Sequence, residues 1–317
     1  MDSSLEEEAH AFDQRIESRV DNGFIPDLRK LKHNPFFYKS FWRDPYFTKL
    51  YLGDICNNFI EKLAKHTSLG ARVLDLGCGA GYLALEIARQ GYHVTGVDIS
   101  ESCINIANKT LDETDIRGEF GSLEYQNGSV SELSMFNQFD AVICSGVLHH
   151  LEPLPEALVQ IRLSLKTGGA LLWHEPQHQY WTKTEASIVT LIRLILANLN
   201  MWHDEEVKGV GTRDQLLKMI DEVYEEYRYE RDPDEKKGQS PNDLASDRDY
   251  IVSEIEKEFT ISDIQQSFSF IYRLMGGMRG DQETLNRLAS LLHLFDTTLS
   301  QKGTIKSNYF YGTAIKS

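Results

Sequence analysis

No run of about eighteen apolar residues, the length a membrane-spanning helix needs, occurs in this 317-residue chain. The most apolar stretch, residues 188–199, is broken by Thr190, Arg193 and Asn198, so no membrane span is expected. The chain opens Met-Asp-Ser-Ser-Leu-Glu-Glu-Glu, without the basic region and apolar stretch of a secretory signal, and a cytoplasmic location is expected. Cysteine is scarce. Cys56, Cys78, Cys103 and Cys144 are far apart with no Cys-x-x-Cys pair, which argues for reduced thiols against a disulfide framework or a zinc site. Positive charge is also short. There are 33 Lys and Arg against 48 Asp and Glu, a formal net charge of −15, and a nucleic-acid partner would approach against that field. Internal repeats are absent. The hydrophobic fraction, 41%, is ordinary for a globular chain with a proper core.

What is present is an alternation. Strand patterns at residues 72–76, 93–98, 123–126, 140–145 and 170–175 are separated by helical patterns at 82–90, 101–111 and 154–166. Such alternation implies a parallel sheet with helices on both faces and ligands at the carboxyl ends of its strands. Beyond Pro176 the pattern predicts helices over 184–202 and 213–229, a polar loop over 232–249, strands near 259–261 and 267–271, a helix over 282–301 and a last strand over 307–315. Four segments are therefore expected: an N-terminal helical cap (1–68), a ligand-binding core (69–176), a helical insertion or lid (177–257), and C-terminal strands and helix completing the sheet (258–317).

The segment Val73-Leu-Asp-Leu-Gly-Cys-Gly-Ala-Gly-Tyr82 ends a buried strand in an acid and places Gly77, Gly79 and Gly81 at alternate positions. Glycine is required where the backbone turns at positive φ or a ligand approaches the main chain. A dinucleotide site uses Gly-x-Gly-x-x-Gly; here the third glycine comes one residue early and Tyr82 takes its place, which speaks against a nicotinamide-dependent oxidoreductase. Asp75 suits a ligand bearing an ammonium and no phosphate, as in the methionine half of S-adenosylmethionine (SAM). Asp98, at the tip of the next strand, is placed to accept hydrogen bonds from ribose hydroxyls.

These residues resemble the class I SAM-dependent methyltransferase family, small-molecule type, most clearly over residues 70–176. The resemblance implies a doubly wound α/β fold, a Rossmann-like, seven-stranded and mostly parallel sheet whose last strand slips antiparallel between its neighbours. It also implies methyl transfer to an oxygen, nitrogen or carbon of a small metabolite, leaving S-adenosylhomocysteine. Asp75, Gly77, Cys78, Gly79 and Gly81 would then hold the methionine portion, Asp98 the ribose and Ile99 the adenine face. Ser129 stands where relatives carry an acid for the adenine amino group, with Val130 beside it and Ser145 at the end of the fourth strand.

Methyl transfer from a sulfonium needs alignment above all, and a base where the acceptor must lose a proton. His149 and His150, just past the fourth strand, are candidate bases, or else they pack the following loop. Glu175 and His178, after the fifth strand, are further candidates for a base, with His174 as a substrate contact. A metal site from His150, His174 and His178 lacks recognisable ligand spacing, and no metal is assigned. Tyr38, Trp42 and Tyr46 fall at helical spacing, with Arg43 beside them, as acceptor contacts. Were Arg29, Lys39 and Arg43 to face the pocket, an acceptor with a carboxylate or phosphate would fit. The helix expected over 184–202 either caps an apolar acceptor or forms the face of a homodimer. The competing readings are a SAM-binding protein that does not methylate (regulatory or carboxymethyl-transferring) and a tRNA or protein methyltransferase.

Overall fold

The computed structural model describes residues 3–115, 118, 120–229, 240 and 247–317. Its sheet has seven strands: β1 (Arg72–Leu76), β2 (His93–Asp98), β3 (Ser122–Asn127), β4 (Phe139–Ser145), β5 (Leu165–Pro176), β6 (Thr260–Gln266) and β7 (Tyr309–Ile315). Their order is β3-β2-β1-β4-β5-β7-β6, with β7 antiparallel to both β5 and β6 and the other pairs parallel. The doubly wound α/β expectation holds, including the last strand's position.

Alternation along the central strands explains the layering. Val73, Ile143 and Leu172 enter one core, while their neighbours Leu74, Val142 and Leu171 enter the core on the opposite face. The helices are α1 (Ser3–Asp21), α2 (Pro45–His66), α3 (Tyr82–Ala88), α4 (Glu101–Asp112), α5 (Leu154–Ser164), α6 (Lys183–Asn198), α7 (Arg213–Arg228), α8 (Arg248–Glu258), α9 (Ile271–Gly277) and α10 (Gln282–Gln301). The first core takes Phe47, Ile55, Phe59 and Leu63 of α2 and Val189 and Leu196 of α6; the second takes Leu158 and Ile161 of α5 with Ile251 and Ile255 of α8. Among the described residues, no helix is long and apolar enough to cross a membrane.

Three expectations change. The aromatic segment is not one helix. Asn34, Ser40 and Asp44 each cap a new turn with a side-chain oxygen, and Pro35 and Pro45 take first helical positions, so it divides into single turns at Pro35–Phe37 and Phe41–Arg43 before α2. Residues 267–271 form no strand. Asp296 of α10, fully buried, accepts the backbone N–H groups of Ser269, Phe270 and Ile271 at 2.7–2.8 Å, and α9 starts there instead. The 232–249 segment lies largely outside the described residues, and Arg248 and Asp249 already belong to α8.

Helix α6 begins with a capping box, Thr182 with Glu185, and Glu185 also accepts the Lys306 N–H at 2.9 Å. That bond ties the start of the α6–α7 pair to the chain entering β7. Helix α8 packs instead beside α5, so the segment following β5 divides between the two faces.

Candidate active site

The loop after β1 runs through three left-handed glycines, Gly77 (φ +69), Gly79 (φ +51) and Gly81 (φ +85). They serve different ends. A Cβ on Gly77 would stand 2.4 Å from Cγ2 of Val147, and one on Gly81 would stand 2.3 Å from the Tyr125 hydroxyl. Beside Gly79 there is open space within 4 Å. Gly77 and Gly81 are thus packing requirements, and Gly79 presents bare main chain to whatever binds.

Two carboxylates flank that opening. Asp75 is buried, and its Oδ2 has no hydrogen-bond partner among the described residues. Burial, and then the nearby Asp98, push its carboxyl up to about 8. Asp98 ends β2 and accepts the N–H of Gly79 at 2.8 Å and of Ser100 at 2.9 Å. Burial raises its carboxyl, and those two N–H groups offset part of the rise. Cys78 is buried, its thiol raised by burial and by the two acids. Ile99 is half-buried beside Asp98. The Asn127 amide donates to the carbonyls of Asp98 and Ile99, both at 3.0 Å. Ser129 caps the short turn Val130–Glu132 by accepting the Ser131 N–H, and Val130 packs toward the second core. Ser145 ends β4, half-buried.

A buried carboxylate with one oxygen unpartnered among the described residues, an acid on the next strand tip and an uncovered glycine between them suit a ligand with an ammonium at one end and a ribose at the other. SAM has that donor pattern.

Helix α1 lies over this edge. Asp13 accepts from the Ser100 hydroxyl (2.6 Å) and the Ser102 N–H (3.0 Å), and Ile16 packs with Ala80 and Cys103. Glu8 stands 3.1 Å from His150, whose ring meets Phe12 edge-on at 5.4 Å.

The acid–base candidates are placed differently from one another. Glu175, fully buried on β5, accepts the N–H of Val147 and of Leu148 at 2.9 Å and contacts His149 Nδ1 at 2.6 Å. It clamps the turn carrying both histidines. His174 is buried within the sheet, stacked on Tyr309 at 5.1 Å, and burial lowers its pKa to about 3. His178 is buried, edge-on to Tyr309. Among the described residues, no three His, Cys, Asp or Glu side chains gather as a metal site.

Beside the glycine loop opens a cavity of about 1460 Å³. Tyr82, directly after Gly81, reaches its wall, and Tyr38 and Trp42 line it too. Its remaining walls come from Arg15 and Arg19 of α1, from Arg193, Trp202 and His203 on and after α6, from Glu226 of α7, and from Arg273 of α9. The other expected contacts lie elsewhere. Arg43 turns away to the carbonyls of Gly276 and Met278, Tyr46 bonds Ser290 at 2.5 Å, and His174 stays in the sheet. Arg29 lies toward Glu86, 4.0 Å away, off the cavity. His149, His150, Glu175 and His178 do not line it either. No local pattern marked Arg193, His203 or Arg273, which read as ordinary helix-face or loop residues.

Arg193 is the insertion's central side chain. It is 8% exposed, makes a two-pronged pair with Glu226 at 2.8 and 2.9 Å, and lies over the rings of Trp202 and Tyr227. Burial opposes its charge, and Glu226 more than offsets it.

A ubiquinone biosynthesis O-methyltransferase from Rickettsia bellii is 31% identical over 115 residues, 36% of this chain and 46% of the relative. One from Dechloromonas aromatica is 38% identical over 132 residues, 40% of this chain and 54% of the relative. The mitochondrial one from Schizosaccharomyces pombe is 37% identical over 103 residues, covering 32% and 37%. The chain spans about half or less of the length of these relatives. A solved SAM-dependent methyltransferase from Methanosarcina mazei overlaps 80% of this chain and 96% of its own at 18% identity, with a TM-score of 0.49. The family model described as a methyltransferase domain matches residues 49–231, more than half of the chain. The chain belongs to this methyltransferase-domain family.

Proposed function

We propose that this chain is a methyltransferase that moves a methyl group from SAM to an oxygen of a small molecule held in the cavity beside the glycine loop. The observation that carries the reading is the uncovered Gly79 main chain between Asp75, with an unpartnered buried oxygen, and Asp98 at the tip of β2. Oxygen is chosen over nitrogen or carbon because the curated relatives are named O-methyltransferases.

SAM, when bound, supplies an already activated methyl group. Asp75 gives its ammonium a counter-charge in a buried site, and Asp98 offers acceptors to the ribose hydroxyls. Glu175 fixes the turn after β4 by binding its N–H groups, so His149 is held there, and His150 meets Glu8 of α1, off the cavity. His203 is the histidine lining the cavity among the described residues, and it is too weak a base to draw a proton from a hydroxyl unaided, since burial and nearby cations hold it down to about 4. The rate enhancement therefore rests on alignment, with acceptor oxygen and methyl held in line between Tyr82 and the aromatic wall.

Calorimetric titration with SAM, of the full chain and of Asp98→Ala, tests the cofactor half. Saturable binding weakened at least about a hundredfold by the substitution is expected, from two lost hydrogen bonds to a charged group. Binding indifferent to Asp98 would remove the reading. Transfer of labelled methyl from SAM to a panel of hydroxylated acceptors tests the chemistry; SAM binding without transfer to any of them would favour a regulatory role.

A further inference from the structure

Helix α6 is apolar on both of its sides. Ala186, Val189, Leu196 and Ala197 enter the first core, as a helix packed on a sheet requires. The opposite side carries Leu191 and Ile195, and Leu199 continues the row past the last turn, all three 51–61% exposed. Between Thr184 and Leu199 the charged residues are Glu185 and Arg193, and both are buried. A helix apolar all round is ordinarily covered all round. The cavity does not supply that cover, because Arg193 is the α6 residue that lines it and Arg193 belongs to the buried side.

Helix α10 presents a matching face. Leu291, Leu294 and Phe295 are 45–63% exposed. Between Thr284 and Gln301 its one carboxylate is Asp296, buried and taken up by the backbone of residues 269–271, and Arg287 is the exposed charge. Both ends of α6 are tied to the chain flanking α10. Glu185, at the start of α6, accepts the N–H of Lys306, beyond the end of α10, at 2.9 Å. Met201, just after α6, accepts the N–H of Arg279, ahead of the start of α10, at 2.8 Å. The two helices therefore run antiparallel and side by side, and half-buried Ile188, Ile192, Leu288 and Leu292 close on the same core between them. The outer rows of α6 and α10 make one surface.

Its size limits what covers it. Six large apolar side chains at about half to two-thirds exposure open roughly 600 Å² per chain, the top of the range for the largest patch on a monomer. A standard interface takes about 800 Å² from each partner, so the flanking residues are enough to complete one. Charge then selects the partner. A chain of net charge −15 repels its own copies over most of its surface, and α7, packed beside α6, shows the ordinary pattern with Asp214, Asp221 and Glu222 exposed. That repulsion is missing across the rows of α6 and α10, and an apolar face of this kind is complementary to itself under a two-fold axis. An anionic membrane would meet the same net charge.

We propose that a second copy of this chain covers this face, with α6 and α10 of one protomer laid against α6 and α10 of its partner about a two-fold axis. The pairing is independent of the methyl-transfer reading. It also supports the cavity wall, since α6, held between its own core and the partner, carries Arg193 and leads into Trp202 and His203.

Sedimentation equilibrium of the full chain over a dilution series tests the pairing. Wild type is compared with the double variant Leu191→Glu with Leu294→Glu, and with Phe136→Glu as control. Phe136 is 59% exposed near the end of α5, on the opposite side of the sheet. Wild type and the control should be dimers at micromolar concentration. The double variant should dissociate at least about a hundredfold more readily, because its pairing would bury four carboxylates. Both replaced leucines are exposed in the single chain, so thermal midpoints measured where every sample is monomeric should agree, which separates lost pairing from lost fold. A wild type that stays monomeric throughout overturns the proposal, and so does a dimer indifferent to the double variant. A monomer that co-sediments with phosphatidylcholine–phosphatidylglycerol vesicles and is released by the same substitutions gives the face to a membrane and overturns it as well.

Discussion

At the carboxyl edge of the sheet, the groups turned toward a ligand are a glycine main chain and two aspartates, all in one β1-loop-β2 stretch. The neighbouring cavity is walled by side chains from α1, the aromatic segment, the α6–α7 pair and α9, segments far apart in sequence. On the proposed reading, the first region would hold the donor with main chain and two aspartates close in sequence, and the second would hold the acceptor with side chains from separate segments. A shared donor and a particular acceptor call for that division, since fold and cofactor do not by themselves choose a substrate.

The sharpest way to break the second region and spare the first is Arg193→Ala. It leaves Glu226 buried without its partner, which costs about 3–5 kcal/mol for pairs of this kind. Thermal unfolding should show that loss, and SAM binding to the fraction still folded should be unchanged. The double variant Arg193→Met with Glu226→Leu should recover most of the stability, because no charge is then left unpaired. Recovery of stability without recovery of acceptor binding would place the pair's role at the cavity; no recovery would make the guanidinium's stacking on Trp202 and Tyr227 the dominant contribution.

The glycines sharpen the comparison inside the first region. Gly77→Ala sets a Cβ against Val147 at positive φ and should cost about 2 kcal/mol or more in stability. Gly79→Ala meets open space and should cost only the left-handed backbone penalty, about 1–2 kcal/mol, while weakening SAM more than Gly77→Ala does per folded molecule. Measured by urea unfolding and calorimetry, equal effects at both positions would mean that Gly79 does not face the ligand.

Asp75 should show a conflict between stability and binding. Its carboxyl is ordinarily near 3.8 and is raised to about 8 in the folded chain without ligand. A raised folded pKa stabilises fully below the ordinary value, and that stabilisation is lost as pH climbs toward 8. Asp75→Asn, which stays neutral, should therefore raise the thermal midpoint at pH 8 by a few degrees, change it little at pH 4 and weaken SAM. A wild-type midpoint that falls no faster with pH than the variant's would refute the account.

How much could be read from the chain differs between the regions for physical reasons. The glycine loop and the strand tips were legible because turn chemistry and strand alternation are local. The seven-stranded order, with the last strand antiparallel, came from the family resemblance and matches the sheet. The aromatic segment misled because Tyr38, Trp42 and Tyr46 have helical spacing, and spacing is blind to the caps at Ser40 and Asp44 that restart the chain. Residues 267–271 misled in the opposite way: Ser-Phe-Ser-Phe-Ile alternates like a strand, but Asp296, on a later helix, takes the N–H groups a strand would share. Helix α2 read as part of a cap and proves to be core, since its apolar face meets the sheet. The cavity wall of Arg193, His203 and Arg273 had no local signature, for only tertiary packing joins those residues.

The smallest effect concerns His174, which sequence alone set beside Glu175 and His178 as one cluster. Burial takes its pKa from 6.5 to about 3, so it is neutral wherever methyl transfer would be assayed. A histidine with a depressed folded pKa adds stability that is present above 6.5 and is lost as pH falls toward 3. His174→Phe should keep the stacking on Tyr309, forfeit the 3.3 Å contact with Ser267 at about 1 kcal/mol, and flatten part of the acid limb of the stability curve. His203, lowered to about 4, shares that limb and should retain the remainder. The pH profile of methyl transfer above about pH 6 should be unchanged, since the ring does not change protonation state there. A profile that shifts with His174→Phe would put a proton on β5 in the reaction and move the chemistry from the cavity to the sheet edge.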